Sequence, residues 1–285
     1  FGGDLIAGIL FAGLHRQVDE AILVDVGTNA EVVLGNREWL MACAGAAGPA
    51  LEGGVTRMGM MAGPGVIDRV EIDPRSGAFE WHTIGDQAPV GICGSGLIDL
   101  AAQLFLAGML DIRGRLVPER CSDRLETVRE IPHLRVVSAG ESASGEALML
   151  SQVDIDSLVR SKAAMYTILE TITQHVGVAL EQLQTFYVAG TFGSFIRPAS
   201  AVTIGMLPDL PLSYYRSLGN SSLGGTTLVL QSADAIEEID QIRDTVTYLE
   251  LNVNQDFMNR FSAAKFIPHT DRARFPSVGQ QNADE

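Results

Sequence analysis

The chain has 285 residues, 46% of them hydrophobic, enough for one large domain or two smaller ones around a sizeable core. Its 20 basic residues face 35 acidic ones, and a net charge of −15 argues against non-specific binding to nucleic acid or anionic lipid, so an anionic ligand must be held locally, by backbone N–H groups or a metal ion. No run approaches the roughly 18 apolar residues of a membrane span and no basic segment precedes a small-residue cleavage site, so the expectation is a cytoplasmic protein with no membrane partner.

In chain order, Leu5, Ile6, Ile9, Leu10 and Leu14 recur at helical spacing behind Asp4, which predicts a short helix over 4–14 with Asp4 as its N-cap. The segment ILVDVGTNAEVVLG, 22–35, follows. An apolar run ends in Asp25, turns through Gly27, Thr28 and Asn29, and resumes at Val32, which reads as a β-hairpin whose tip carries a carboxylate, a hydroxyl and a bare glycine. Trp39 to Cys43 adds a third strand, and the small residues of AGAAGPALEGGV, 44–55, let backbone pack closely against another element or a ligand. A second hairpin is predicted from 66–73 and 78–84. GICGSG, 91–96, opens a helix from about Ser95 to Leu110. The stretch 111–150 is more polar, with LRVVSA and EALML as its strands.

A long helix is predicted from Asp154 to about Val176, with Ile155, Leu158, Val159, Ala163, Tyr166 and Leu169 on its apolar face. FYVAGTFGSFI, 186–196, then runs a strand into a glycine turn, about 160 residues after the first hairpin. GMLPDLP is a proline-bounded loop. LGNSSLGG offers Asn220 or Ser221 as cap for a helix over 221–234, and a further helix covers 234–246. The final HTDRARFPSVGQQNADE reads as a loosely attached polar tail. The expected division is 1–150 with the phosphate hairpin, 151–270 with the long helix and second glycine turn, and a tail over 271–285.

Cys43, Cys93 and Cys121 lack CxxC spacing and read as reduced thiols, and a conventional iron–sulfur cluster takes more cysteines than this chain has. The five histidines show no pairing of the kind a zinc site needs. Ser95 lacks a nucleophile elbow and reads as a backbone donor or cap. Asp99, one turn into its helix, is expected to favour the positive end electrostatically. Glu31 and Glu52 lie near glycine turns, where a carboxylate either orients a water or faces solvent. Met58, Met60 and Met61 form an apolar patch for packing or for a partner. The start at FGGDLIAGIL, without an initiator Met, reads as a piece of a longer polypeptide.

Phosphate recognition calls for N–H donors that approach oxygen with no Cβ in the way, and a helix N-terminus adds a favourable field. GICGSG and GTFGSF both meet that description, and both also describe ordinary strand-to-helix connections. DVGTN adds a carboxylate at a strand end, which places a magnesium ion or its water beside phosphate oxygens, or merely stabilises a turn.

The order of these segments is what carries a resemblance. DVGTN, then GSG at a helix start, then VAGTFGSF after a long helix resembles the second half of the actin, sugar-kinase and heat-shock-chaperone ATPase superfamily. VDVGTNAEVVLG, ACAGAAGPALEGG, PVGICGSGLIDL, VAGTFGSFI, IGMLP and LGNSSLGG together are similar to the C-terminal domain of the ferredoxin-like reductive activators of corrinoid proteins, over roughly residues 1–270. The resemblance implies an α/β fold of RNase H-like lobes, with a mixed sheet built from the 21–43 meander and the 185–189 strand and flanked by helices on both faces. It also implies ATP and magnesium as ligands. Asp25, Gly27, Thr28 and Asn29 would form the phosphate side, with Asp25 reaching magnesium through water. Gly94, Ser95 and Gly96 would give backbone donors, Gly190, Thr191, Phe192 and Gly193 would border the adenosine, and Gly224 and Gly225 would let a helix approach the base.

The implied activity is an ATP-dependent return of a cobalt(II) corrinoid to cobalt(I) on a partner corrinoid protein of a methyltransferase system, with homodimerisation as an option. The family carries an upstream ferredoxin-like domain with a 2Fe-2S cluster and a first DIGTTT-type hairpin, neither of which is in this chain. No catalytic residue is assigned. Two other readings fit the same residues: a non-catalytic docking module for a corrinoid protein, and a small-molecule kinase of the same superfamily, for which a base and a substrate pocket are wanting.

Overall fold

Strand β1 (Ala21–Val26) organises the first half of the fold, because Ala21 to Val24 are buried on both sides of the pleat. In this computed structural model, which describes residues 2–27, 29–46, 56–190, 195–251 and 256–280, β1 pairs antiparallel with β2 (Asn29–Gly35), and β2 with β3 (Leu40–Ala46). That is the meander expected from the sequence. On the other side β1 pairs parallel with β10 (Phe186–Ala189), with Asp25 level with Ala189, and β10 pairs parallel with β11 (Tyr215–Gly219). A short β12 (Val246–Tyr248) runs parallel beside β3, giving the order β11-β10-β1-β2-β3-β12.

One face of this sheet carries Leu23, Val33, Leu40, Ala42 and Tyr187, packed with Leu5, Ile9 and Leu10 of α1 (Gly3–Ala12) and with Ala235 and Ile242 of α7 (Asp234–Thr245). Ile168 of α4 (Gln152–His175) reaches β3 at Gly45, where a Cβ would stand 2.5 Å from its methyl carbon. The sheet is mixed and flanked by helices, the α/β RNase H-like class expected. β11 and β12 are edge strands that sequence reasoning did not assign, since each is short and carries little periodicity.

By contact density the chain forms two compact units: 1–47 with 165–195 and 210–260, and 48–164 with 196–209 and 261–285. The boundaries differ from the sequential 1–150 and 151–270, because parallel pairing of β1 with β10 joins distant parts of the chain.

The second unit holds two small sheets. β4 (Val66–Ile72) pairs antiparallel with β5 (Phe79–Thr83) and parallel with β6 (Gly91–Ile92), while β7 (Leu125–Val128), β8 (Ile131–Val137) and β9 (Leu148–Ser151) form a meander. Helix α2 (Gly94–Leu106) packs on β4, and a short α3 (Pro118–Cys121) follows. Asp99 does more here than complement a helix end. Its buried carboxylate accepts the Val70 N–H at 2.9 Å and the Ser200 hydroxyl of α5 (Pro198–Thr203), and pairs with Arg197 at 3.2 Å. A buried carboxylate needs such partners, and removing any one leaves charge uncompensated.

The polar C-terminus is likewise anchored rather than loose up to residue 280. Phe275 and Val278 are buried, and Ser277 of the short helix α8 (Pro276–Gln280) donates its N–H and hydroxyl to Asp209 at 2.8 Å each. Lys162, fully buried in α4, donates to the carbonyls of Phe266 and of Pro268 (2.7 Å), and burial pushes its amine well below the usual lysine range. Residues 281–285 lie outside the described residues. Among the described residues no helix is long and apolar enough to cross a membrane.

Candidate functional site

The first unit brings several of the sequence-predicted residues to one end of its sheet. Parallel pairing sets the C-terminal ends of β1 and β10 side by side, so Asp25 and Gly190 are neighbours although 165 positions apart. Gly190 has φ +88°, and a Cβ there would stand 2.7 Å from both the Asp25 Oδ1 and the Val26 carbonyl. Only glycine fits, for conformation and for space. The C-terminal ends of parallel strands are also where open α/β sheets place their ligands.

Asp25 is held from the other side by α6 (Ser221–Gln231), whose Ser221 hydroxyl lies 3.5 Å from Oδ2. Asn220, not Ser221, is the N-cap, its side chain accepting the Leu223 N–H at 2.9 Å. Ser221 is thereby released to face Asp25. Burial raises the Asp25 carboxyl above its ordinary value, and the charge of Asp4 adds to the rise against the Ser221 hydrogen bond. Glu31, cross-strand from Asp25, is raised by burial and then by the charges of Asp25 and Asp4. Asp4, expected as an N-cap, sits inside the first turn behind the cap residue Gly2, and contributes to this acidic cluster. Sequence reasoning missed Asp4 and Ser221 as neighbours of Asp25, and no local signal marks them, because their proximity depends on how α1 and α6 pack.

Gly27 is different from the other glycines of these motifs. Among the described residues a Cβ there would meet nothing closer than the Asn29 carbonyl at 3.7 Å, an ordinary contact, and its φ is not in the left-handed region. Its N–H donates to the Asn29 carbonyl at 2.9 Å, closing the hairpin. The residue therefore leaves space at the tip and is not a free donor. Asn29 is exposed beside it, level with Ala46 of β3. Thr28, Thr191, Phe192 and Gly193, together with Glu52 and the segment 47–55, lie outside the described residues.

The remaining glycines meet the protein itself. A Cβ on Gly225 would stand 2.1 Å from the Ala7 carbonyl and one on Gly224 2.5 Å from the Phe11 ring, so both serve the crossing of α6 over α1. Gly94, Ser95 and Gly96 belong to the second unit and are all buried. A Cβ on Gly96 would stand 2.4 Å from the Ile67 carbonyl, and the Ser95 hydroxyl lies 3.2 Å from Cys93 Sγ. Cys43, Cys93 and Cys121 are buried free thiols, and burial pushes Cys43 up to about 12. Buried thiols of this kind are poor thiolate ligands. Among the described residues no group of three or more His, Cys, Asp or Glu is placed to hold a metal on its own.

Comparison with known proteins shows the family. Residues 19–279 match the family model described as the C-terminal domain of RACo, the ASKHA domain. The chain is 31% identical over 267 residues to the corrinoid activation enzyme RamQ of Eubacterium limosum, covering 91% of this chain and 44% of that protein. It is 23% identical over 282 residues to the Co(II) methylated amine-specific corrinoid protein reductase of Methanosarcina barkeri, covering 90% of this chain and 48% of that one. A solved structure of a reductive activator for corrinoid, iron–sulfur protein superposes with a TM-score of 0.92 at 40% identity, covering 97% of this chain and 44% of the other. The chain thus spans less than half the length of these relatives.

Proposed function

Because the chain belongs to the family of RACo C-terminal ASKHA domains, we propose that it is the nucleotide-binding part of an ATP-dependent reductive activator that returns the cobalt(II) corrinoid of a methyltransferase system to cobalt(I). The observation that carries this reading is the hairpin tip. Among the described residues a side chain on Gly27 would meet no close contact, and the position lies next to a carboxylate that burial and like charge hold in an unfavourable state.

In this reading the phosphates of ATP lie against the tip formed by Asp25, Gly27, Thr28 and Asn29, and the nucleoside lies along Gly190 to Gly193. A magnesium ion fits the donor set. Oxygen ligands would suit it, and its charge would relieve the repulsion that raises Asp25 and Glu31. Asp25 would hold a magnesium-bound water, and Ser221 keeps its carboxylate oriented. Gly94 to Gly96 remain as donors from the second unit only if their buried N–H groups become accessible, so the reading rests on the first unit. Bound ATP supplies the differential affinity that shifts the protein between two conformations, which is what an uphill electron transfer requires. A 2Fe-2S cluster on a ferredoxin-like domain outside this chain would supply the electron, and the acceptor would be a corrinoid protein, the class that the relatives' names specify.

Calorimetric titration with magnesium-ATP and with ADP, on this chain and on the longer polypeptide, tests the proposal alongside Asp25→Asn. Micromolar binding that is weakened at least tenfold in the variant is expected, roughly the value of a charge-assisted contact. Absence of binding by the longer polypeptide, or binding indifferent to Asp25→Asn, would overturn it.

A further inference from the structure

A glycine inside a helix costs stability relative to alanine, so one that persists there calls for a reason in its surroundings. Gly8 stands in the middle of α1 and is buried. A Cβ on it would stand 3.0 Å from the Ser221 Oγ and 3.6 Å from Leu23 Cδ2, whereas on Gly3 of the same helix it would meet nothing within 4 Å among the described residues. The face of α1 that carries Gly8 therefore makes room for one particular atom, the hydroxyl oxygen at the start of α6. Asp4, whose charge bears on Asp25, lies one turn earlier on that face.

Ser221 is 1% exposed. A buried hydroxyl needs an acceptor, and among the described residues the one it finds is Asp25 Oδ2 at 3.5 Å. Capping of α6 does not use it, since Asn220 fills that role. At 3.5 Å the contact is at the outer limit of a hydrogen bond, so pushing the hydroxyl aside by a few tenths of an ångström breaks it. The seating of α1 on α6 leaves little slack. A Cβ on Gly225 would stand 2.1 Å from the Ala7 carbonyl, so backbone meets backbone one residue from Gly8, and the place of Ser221 beside Asp25 follows that of α1. All of these residues belong to the first unit.

We propose that α1 is a positioning element for Asp25: Gly8 keeps open the space in which the Ser221 hydroxyl turns to the carboxylate, so the seating of α1 on α6 sets how Asp25 is held. The consequence for binding rests on the hairpin tip being a nucleotide site, while the contact itself does not. A carboxylate fixed in one orientation would meet a magnesium-bound water at a smaller entropic cost than one free to rotate. Gly8 and Ser221 act through Asp25 and need no contact with a ligand of their own.

Two readouts test this, one on the ligand-free chain and one with nucleotide. In the ligand-free chain at a fixed, mildly alkaline pH, the side-chain carboxyl carbon-13 resonance of Asp25 is expected to move in Ser221→Ala and in Gly8→Ala. The double variant is expected to match Ser221→Ala alone, because without the hydroxyl a methyl at position 8 has only ordinary contacts left, at 3.6 and 3.7 Å. Gly8→Ala is expected to melt within about 3 °C of the parent, since a hydroxyl turns aside easily. Affinity for magnesium-ATP is expected to fall about three- to tenfold in each single variant and no further in the double. Four results would each overturn the proposal: an Asp25 resonance indifferent to Ser221→Ala, a Gly8→Ala shift as large in the Ser221→Ala background as in the parent, a much larger loss of melting temperature in Gly8→Ala, or magnesium-ATP affinity that Asp25→Asn weakens and neither other variant does. Resonances that respond as expected, in a protein that binds no magnesium-ATP even as the longer polypeptide, would support the positioning by α1 and overturn the nucleotide reading instead.

Discussion

At the tip of the β1–β2 hairpin a side chain on Gly27 would make an ordinary contact with the Asn29 carbonyl at 3.7 Å and meet nothing closer among the described residues, whereas at the head of α2 a side chain on Gly96 would run into the Ile67 carbonyl at 2.4 Å. Both glycines follow a strand, and both sit in segments that read as phosphate cradles. At the first, no close contact among the described residues accounts for the missing side chain. The second is required by the packing of α2 on β4, and needs no ligand to explain it. Crowding at the Cβ position separates a binding glycine from a packing glycine where the motif does not.

The comparison is broken most directly at Gly96. Gly96→Ala is expected to destabilise by about 3 kcal/mol, since overpacking against backbone cannot be relieved by a rotamer change. The melting temperature should fall by roughly 6–12 °C, while any nucleotide affinity measured on folded protein stays within about twofold of the parent. An unchanged melting temperature with lost nucleotide binding would reassign Gly96 to the site.

Asp25→Asn is the next largest effect, and acts in opposite directions on binding and on stability. Nucleotide affinity in the presence of magnesium is expected to fall by about 10- to 100-fold. Stability is expected to rise at neutral pH. Asp25 and Glu31 both have folded-state values above the ordinary 3.8 and 4.5. In the window just above those values the folded chain binds more protons than the unfolded chain, so stability falls as pH rises through it and stays lower beyond. Asn at position 25 removes part of that slope. Melting curves from about pH 4 to pH 7 should therefore be flatter for the variant, which melts higher than the parent at the upper end.

Gly27→Ala sharpens the contrast. With the nearest atom at 3.7 Å, the methyl group should leave the melting temperature within about 1 °C of the parent while weakening nucleotide binding roughly tenfold. A large loss of stability would place Gly27 with Gly96 instead. The smallest effect is expected at Asn220, where Ala removes the cap of α6 for about 1 kcal/mol, or roughly 2–4 °C, read in the same melts.

Much of the first unit is legible from local pattern. The apolar run that ends in Asp25, the helical spacing of 154–176 and the strand TFYVAG each specify an element. The place of the two strands in one sheet was implied by the resemblance, and the parallel pairing of the last with β1 is what the structure adds. The cap at Asn220 is likewise written in four adjacent residues. What was not legible has a common cause. β11 and β12 are short edge strands whose pairing is set by neighbours rather than by their own periodicity. Asp99 reads as a helix-start carboxylate, yet its partners Val70, Ser200 and Arg197 lie far away in sequence. The polar run 269–280 hides Phe275 and Val278, two apolar residues too sparse to form a pattern and sufficient to anchor a short helix.

The sequence by itself determined the α/β class, the hairpin that presents Asp25 and the family to which the chain belongs, because hydrophobic period, turn residues and motif order are properties of neighbouring positions. Only the tertiary structure decided that Asp4 and Ser221 converge on Asp25, that Gly224, Gly225 and Gly96 are packing glycines, and that Gly8 makes room for the Ser221 hydroxyl. Those facts depend on distances between residues remote in the chain. Such distances are fixed by the close packing of whole elements, which no local stretch of sequence encodes.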